Sequence, residues 1–204
     1  MRPAVDRRAF LAATAAGLLL PVRPALARLW PARGFTHGVA SSYGTGDAVV
    51  LWTRHASATG AATTLKLEVA EDEGFGRIIA RAEALAGPET WGTAQVAVPG
   101  LPAGKWLWYR FTAPDGSLSP VGRTKALPQG RLDALKLAVF SCSNRPFGHF
   151  NAYAHAAARD DIDAVIHLGD YIYEYPAGLY PEVVMPGREI LPADEITMID
   201  DYRQ

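Results

Sequence analysis

The chain has 204 residues, of which 49% are hydrophobic and 20% are charged, as is typical of a folded protein of one or two domains. Its formal net charge of −1 gives no overall attraction to nucleic acid or to an anionic membrane. The single cysteine, Cys142, excludes an intrachain disulfide.

Residues 1–27 have the pattern of an export signal. Arg7-Arg8 precedes an apolar run, Ala9–Leu20, that has the length of a signal-peptide core and is too short to span a bilayer. Ala25-Leu26-Ala27 is a small-x-small cleavage site, so we expect cleavage before Arg28. The paired arginines with Phe10-Leu11 resemble a twin-arginine signal, and a general secretory signal is the alternative. We therefore expect twin-arginine export to the periplasm or the exterior, with no membrane span in the mature protein.

Residues 34–128 show the pattern of an all-β domain, because short alternating runs are separated by turn signals rich in glycine and proline. The predicted strands are Ala48–Arg54, Thr64–Ala70, Ile78–Leu85, Ala94–Val98, Lys105–Phe111 and Ser119–Ala126. Short strands at this spacing predict a β-sandwich of the fibronectin type III or immunoglobulin-like kind. The segment Leu127–Arg131 reads as a linker.

Residues 132–204 begin with a different pattern, in which the predicted strands are apolar throughout. Two such runs, Leu135–Phe140 and Ala164–Leu168, flank a segment with helical spacing, Phe150–Ala157. This order predicts a parallel βαβ unit with buried strands, the first of an incomplete α/β domain. Since ligands gather at the carboxyl ends of parallel strands, side chains just beyond both runs are site candidates.

Three metal-competent side chains follow these strands: Cys142 after the first, and Asp170 and Tyr173 after the second. Taken singly, each has an ordinary interpretation, as a buried thiol, a turn residue or a packed ring. Together, a thiolate, a carboxylate and a phenolate suit ferric iron better than magnesium. Zinc is less well matched, because tyrosinate is an uncommon zinc ligand.

Several motifs together resemble the alkaline phosphatase D (PhoD-like) family of metallophosphoesterases. They are Phe35–Ser41, Val50–Arg54, Phe140–Asn144, Phe150–Tyr153 and, most specifically, Ile166–Tyr175. The resemblance implies an N-terminal fibronectin-like domain and a metallophosphoesterase domain whose active site holds Fe³⁺ and Ca²⁺. It places the iron-ligating cysteine and tyrosine on Cys142 and Tyr173, and the aspartate that bridges the two ions on Asp170.

The implied activity is secreted phosphoester hydrolysis by a metal-bound hydroxide, as alkaline phosphatase or phosphodiesterase. A small phosphoester or a phospholipid is the implied substrate, and monoesters and diesters both stay open. No residue is assigned as a general acid, so the catalytic residues beyond the metal ligands stay unknown.

The chain departs from the family pattern in two places. Ser42-Tyr43-Gly44 replaces the usual Gly-Asp-Pro, for which we expect a local loop change. The family's later Trp-Asp-Asp-His-type and histidine motifs are absent from the 204 residues, so we expect a C-terminally truncated chain that is inactive as it stands. The alternative is a non-catalytic fibronectin-like binding or remnant module that has lost its catalytic half.

Other polar and aromatic residues near the motifs are weaker candidates. We expect His37 to be structural, and we expect His149 and His155 not to form a metal-binding pair. For His167, a hydrogen-bonded core histidine is preferred to a residue that supports the metal ligands. Asn144 and Arg145 follow Cys142 and either touch phosphate or start the helix. Asp160, Asp161 and Asp163 read as a solvated turn, and Tyr171, Tyr175 and Tyr180 cluster near the predicted site.

Overall fold

The computed structural model describes residues 34–43, 47–180 and 184–203; the predicted signal peptide, residues 1–27, lies outside them. Seven strands come first: β1 Gly34–Tyr43, β2 Val49–Ala56, β3 Thr63–Ala70, β4 Ile78–Ala86, β5 Thr93–Val98, β6 Trp106–Thr112 and β7 Gly122–Lys125. Strand β8 (Leu137–Phe140), helix α1 (Asn151–Ala157) and strand β9 (Ala164–His167) follow. Short 3₁₀ turns cover Pro88–Thr90, Arg145–Phe147 and Asp201–Arg203. No helix within these ranges has the length and apolar character needed to cross a membrane.

The first seven strands form two antiparallel sheets, ordered β1-β2-β5 and β4-β3-β6-β7. Alternating positions of β2 and β6 are buried, as expected for strands with one face on a core. The buried apolar cluster draws residues from both sheets, among them Leu51, Leu67 and Phe111, each at most 1% exposed. The predicted β-sandwich is thus confirmed. Strand β1, which the alternation pattern did not predict, adds an edge to the first sheet.

The second part of the described chain is the predicted strand–helix–strand unit. Strands β8 and β9 pair in parallel, with Leu137 opposite Ala164 and Phe140 opposite His167. Helix α1 begins one residue later than predicted, and Phe150 occupies its N-cap position. The ring of Tyr153 on α1 packs edge-on against Phe140 of β8, with centroids 4.7 Å apart. Because parallel pairing brings both strand ends to one edge, this unit positions the site described below.

The predicted burial of the two parallel strands is wrong for the described residues. Val139 on β8 is 54% exposed, and Val165 and Ile166 on β9 are 62% and 41% exposed. A parallel sheet buries both faces only when elements cover both. The contacts of Tyr153 place α1 against this sheet, and these three side chains stay accessible beside it.

Charged side chains join the sandwich to the second unit. Lys125 of β7 lies 2.8 Å from the carboxylate of Asp163, and the side chains are 19% and 22% exposed. The other carboxylate oxygen of Asp163 accepts the backbone N–H of Lys136 at 2.9 Å. Arg123 pairs with Asp160 at 2.8 Å, although that carboxylate is 95% exposed. The solvated-turn prediction is therefore wrong for Asp163, whose carboxylate anchors the start of β9 to β7.

Candidate metal centre

The loops after β8 and β9 are tied together by backbone hydrogen bonds. The N–H of Cys142 donates to the carbonyl of Gly169 at 3.1 Å, and the N–H of Ser143 donates to the carbonyl of Asp170 at 2.8 Å. The hydroxyl of Ser143 also donates to the carbonyl of Tyr171 at 3.0 Å. The two loops therefore form one continuous edge, as the parallel topology predicts.

Two of the predicted donors adopt a left-handed backbone conformation. The φ angle is 60° at Cys142 and 53° at Asp170, and neither residue is glycine. Such conformations cost about 1–3 kcal/mol each and persist only where the surrounding structure holds them. The interloop hydrogen bonds supply that restraint, since they run through the backbone of Cys142 itself and through the carbonyl of Asp170.

The three predicted donor side chains come together at this edge. The thiol of Cys142 donates to the Oδ2 atom of Asp170 at 3.4 Å. The hydroxyl of Tyr173 hydrogen-bonds with the sulfur of Cys142, and this bond is the largest cause of a raised pKa for Tyr173. Partial burial and the negative charge of Asp170 raise the pKa of that phenol further. The parallel pairing of β8 and β9 thus brings the three predicted donors close together.

The donor chemistry fits a bound cation. Cys142 contacts both Asp170 and Tyr173, and the hydrogen bond with Cys142 together with the negative charge of Asp170 disfavours ionisation of the Tyr173 phenol, whose pKa is raised. A cation bound among these groups would favour their ionised forms. A thiolate, a carboxylate and a phenolate together match a trivalent ion. Within the described ranges, no group of three or more His, Cys, Asp and Glu side chains converges, so this set reaches three donors only when the phenol of Tyr173 is counted.

A cleft of about 290 Å³ opens beside Cys142, between the loop after β8 and the start of α1. Its walls carry the rings of Phe147, Phe150 and Tyr153, together with the amides of Asn144 and Asn151. An apolar wall with a few polar groups is the usual make-up of a small-molecule pocket, although this cleft is at the small end of the range. The sequence analysis named Asn144 as a site candidate, but it did not predict that Phe147, Phe150 and Tyr153 would line a cleft.

Further aromatic rings lie close to Tyr173. The ring centroids of Tyr175 and Tyr180 lie 6.4 Å and 6.0 Å from that of Tyr173, and Phe147 lies 5.4 Å from Tyr180. Tyr171, also expected near the site, instead contacts the edge of His167, with centroids 5.1 Å apart. Of the three candidate tyrosines, two therefore flank Tyr173 directly.

The histidines divide between the two units. His37 lies on β1, with its Nδ1 atom 2.7 Å from the hydroxyl of Thr36, away from the donor set. His149 lines the cleft, and His155 is exposed on α1. His167 is hydrogen-bonded through both ring nitrogens, as expected for a satisfied histidine, but one partner is the backbone of Gly169, next to Asp170. Its position two residues before that glycine places the ring beside the loop that carries Asp170.

Comparisons with known proteins extend over both units. The profile for the N-terminal domain of PhoD-like phosphatases matches residues 22–128, and the PhoD-like phosphatase profile matches residues 137–204. Alkaline phosphatase D of Bacillus subtilis (strain 168) is 38% identical over 178 residues, which cover 83% of this chain and 30% of that protein. A solved structure of PhoD superposes with a TM-score of 0.73 at 36% identity, covering 85% of this chain and 34% of the other.

The chain thus spans about a third of the length of the relatives that it matches. The matched regions include the sandwich, both parallel strands and all three donor positions. The chain belongs to the PhoD-like phosphatase family, a family of metalloenzymes.

Proposed function

We propose that this chain provides the N-terminal sandwich and the first metal-binding edge of a metal-dependent phosphoester hydrolase. The observation that carries the proposal is the convergence of Cys142, Asp170 and Tyr173 at the carboxyl ends of two parallel strands. In this proposal residues 34–128 form the sandwich domain, and residues 132–204 begin the catalytic domain. Family membership supports a phosphoester as the substrate class.

The three donors would hold a ferric ion, with Asp170 shared between that ion and a calcium ion. When bound, the ions would supply a nucleophile near neutral pH and neutralise charge on the phosphoryl oxygens. The chain's own residues fix the donors: the interloop hydrogen bonds hold the backbone of Cys142 and Asp170. The contact with Cys142 and the charge of Asp170 raise the pKa of Tyr173, so a bound cation would have to offset both for the phenolate to serve as a ligand.

The cleft beside Cys142 would receive the alcohol part of the ester. Its rings exclude water from one side of the reacting group, and the amides of Asn144 and Asn151 offer polar contacts. Small monoesters, diesters and phospholipids all present such a group. We further propose that residues 1–27 direct twin-arginine export, which would place the protein in the periplasm or outside the cell.

Metal analysis of purified protein tests this function. We expect iron and calcium in the protein purified from its native host, and chelator-sensitive hydrolysis of p-nitrophenyl phosphate or its diester. Cys142→Ser, Asp170→Asn and Tyr173→Phe should each lower iron content, by about tenfold or more, since each removes a direct ligand. Tyr175→Phe is the matched control, because Tyr175 lies beside Tyr173 without joining the donor set.

Two outcomes would contradict the proposal. Unchanged iron content in all three ligand variants would place the metal elsewhere. Protein from the native host that binds no metal and hydrolyses no phosphoester would favour the non-catalytic binding module.

A further inference from the structure

The ring of His167, at the end of β9, is hydrogen-bonded on both sides. The backbone N–H of Gly169 donates to its Nδ1 atom at 3.3 Å, and its Nε2 atom lies 2.8 Å from the hydroxyl oxygen of Tyr153. A backbone N–H only donates, so Nδ1 must present its lone pair. The neutral ring therefore carries its proton on Nε2, which donates to Tyr153. Both contacts fix a single tautomer and a single ring orientation.

The ring of Tyr153 is itself held in place. It lies edge-on to Phe140 of β8, with centroids 4.7 Å apart, and tilted against Phe150, with centroids 5.6 Å apart. On the other side, His167 meets the ring of Tyr171 edge-on at 5.1 Å. The histidine is thus clamped between α1 and the loop that carries Asp170.

The residue whose N–H is bound by His167 is also the residue whose carbonyl joins the two loops. Gly169 donates its N–H to His167, while its carbonyl accepts the N–H of Cys142 at 3.1 Å. The next residue, Asp170, has a φ of 53° and depends on its surroundings to stay there. A single glycine residue therefore links the histidine to both donor-bearing loops.

We propose that His167, oriented by Tyr153, is a positioning residue that holds Gly169 and thereby sets the relative placement of Cys142 and Asp170. For its consequence on metal binding, this inference rests on the proposed function. The imidazole touches none of the three donors, so its influence runs through backbone hydrogen bonds. A ring that merely filled space would need neither nitrogen.

Three substitutions separate the two hydrogen bonds. In His167→Asn the amide oxygen replaces Nδ1 as the acceptor for Gly169, but nothing reaches Tyr153. In His167→Gln the amide nitrogen replaces Nε2 as the donor to Tyr153, but the Gly169 acceptor is lost. His167→Phe keeps the ring and neither hydrogen bond. His155→Asn, on the exposed part of α1, is the matched control.

The metal-independent readout is amide exchange with water, measured by NMR on the 204-residue chain. In His167→Gln and His167→Phe we expect exchange at Gly169 and also at Cys142 to speed up about three- to tenfold, as one lost hydrogen bond predicts. His167→Asn and His155→Asn should stay close to the unmodified chain. Protected amides in β3 and β6 report whether each variant is folded. Unchanged exchange at Cys142 in folded His167→Phe would overturn the positioning role.

The second readout is Co²⁺ binding, followed by the thiolate-to-cobalt charge-transfer band of Cys142. We expect His167→Phe and His167→Gln to weaken binding about tenfold or more, the usual cost of losing support around a ligand, and His167→Asn to weaken it less. Equal affinity in all four proteins would contradict the inference. If the unmodified chain binds no Co²⁺ while the exchange pattern is as expected, the metal centre fails and the positioning role stands.

Discussion

Cys142 and Asp170 sit in backbone conformations that few non-glycine residues adopt, and they are held there by each other's loops. At the scale of single residues, the site therefore depends on the backbone hydrogen bonds that hold these residues as well as on the chemistry of their side chains. Parallel strands explain why the donors share an edge. The hydrogen bonds through Gly169 explain why their side chains meet.

Gly122 on β7 is required by a close contact with a buried ring. A Cβ atom added there would overlap the ring of Tyr109, which is 1% exposed and has no room to move. We predict that Gly122→Ala lowers the free energy of unfolding by about 1–3 kcal/mol, the usual cost of overpacking. Urea denaturation measures it. Gly76→Ala is the control, because the nearest atom to its added Cβ is a side-chain oxygen of Asp72 at 3.5 Å.

His55 on β2 is a buried histidine whose two ring nitrogens have no hydrogen-bond partner among the described residues. Burial lowers its pKa, with a smaller opposing effect from Asp115. Near and below pH 6.5, the ordinary pKa of histidine, the unfolded chain binds a proton on His55 more readily than the folded chain does. The free energy of unfolding therefore decreases as the pH is lowered. Desolvation lowers the pKa of His37 as well, so His55 accounts for part of the effect.

We predict that His55→Phe flattens the fall in unfolding free energy between pH 7 and pH 5, because the phenyl ring keeps the contact with Phe35 and binds no proton. Urea titrations at several pH values test this. The exposed residue His155 provides the control, and His155→Phe should leave the pH dependence as it was. An identical pH slope in His55→Phe would place the titrating group elsewhere.

The sequence predicted those features of single residues that depend on their neighbours along the chain. Cys142, Asp170 and Tyr173 were predictable because each follows an apolar run within a few residues. The hydrogen bond between His167 and Tyr153 could not be predicted in this way, because Tyr153 is 14 residues away on another element. The anchoring of Asp163 by Lys125 spans 38 residues and was missed for the same reason.

At the scale of elements, periodicity predicted most strands well. Strands β2, β3, β5 and β6 alternate in sequence and in burial, because one face of each lies on the core. Strand β1 was not predicted from periodicity. None of its ten residues is buried, so it lacks the alternation of a strand with one face on the core. The apolar runs of β8 and β9 predicted parallel pairing correctly, but their burial depends on elements that a strand's own sequence does not contain.

The ion pair between Lys125 and Asp163 should govern how firmly β9 is held to the sandwich. We predict that Asp163→Asn speeds protease cleavage in the linker, residues 127–131, by about two- to fivefold, as the loss of one ion pair implies. Asparagine still accepts the N–H of Lys136, so the change isolates the charge. Asp160→Asn is the control, because its carboxylate is 95% exposed and its pairing contributes little. Equal acceleration in both variants would contradict this anchor.

At the scale of the whole molecule, a self-contained sandwich carries a short parallel unit with an accessible apolar sheet. The sandwich core unites strands from both sheets in one cluster. Beyond residue 132, by contrast, large apolar side chains such as Val139, Val165 and Leu168 are more than half exposed. The sequence predicted both architectures because composition changes at the linker.

The 204-residue chain should hydrolyse p-nitrophenyl phosphate at a rate indistinguishable from buffer. Its described part brings together three protein donors, whereas calcium alone takes about six to eight oxygens. A colorimetric assay with added iron and calcium tests this, with alkaline phosphatase D of Bacillus subtilis as the positive control. Robust turnover by the 204-residue chain that a chelator abolishes would show that it assembles a working site unaided.

The visible spectrum of protein loaded with ferric iron tests whether Cys142, Asp170 and Tyr173 bind one metal ion, because it reports the phenolate ligand. A phenolate bound to Fe³⁺ gives a charge-transfer band, so we predict a visible band in the unmodified protein and in Tyr175→Phe. Tyr173→Phe should lose that band. Iron-loaded protein without a visible band, or a Tyr173→Phe variant that keeps it, would show that these three residues do not bind the ion together.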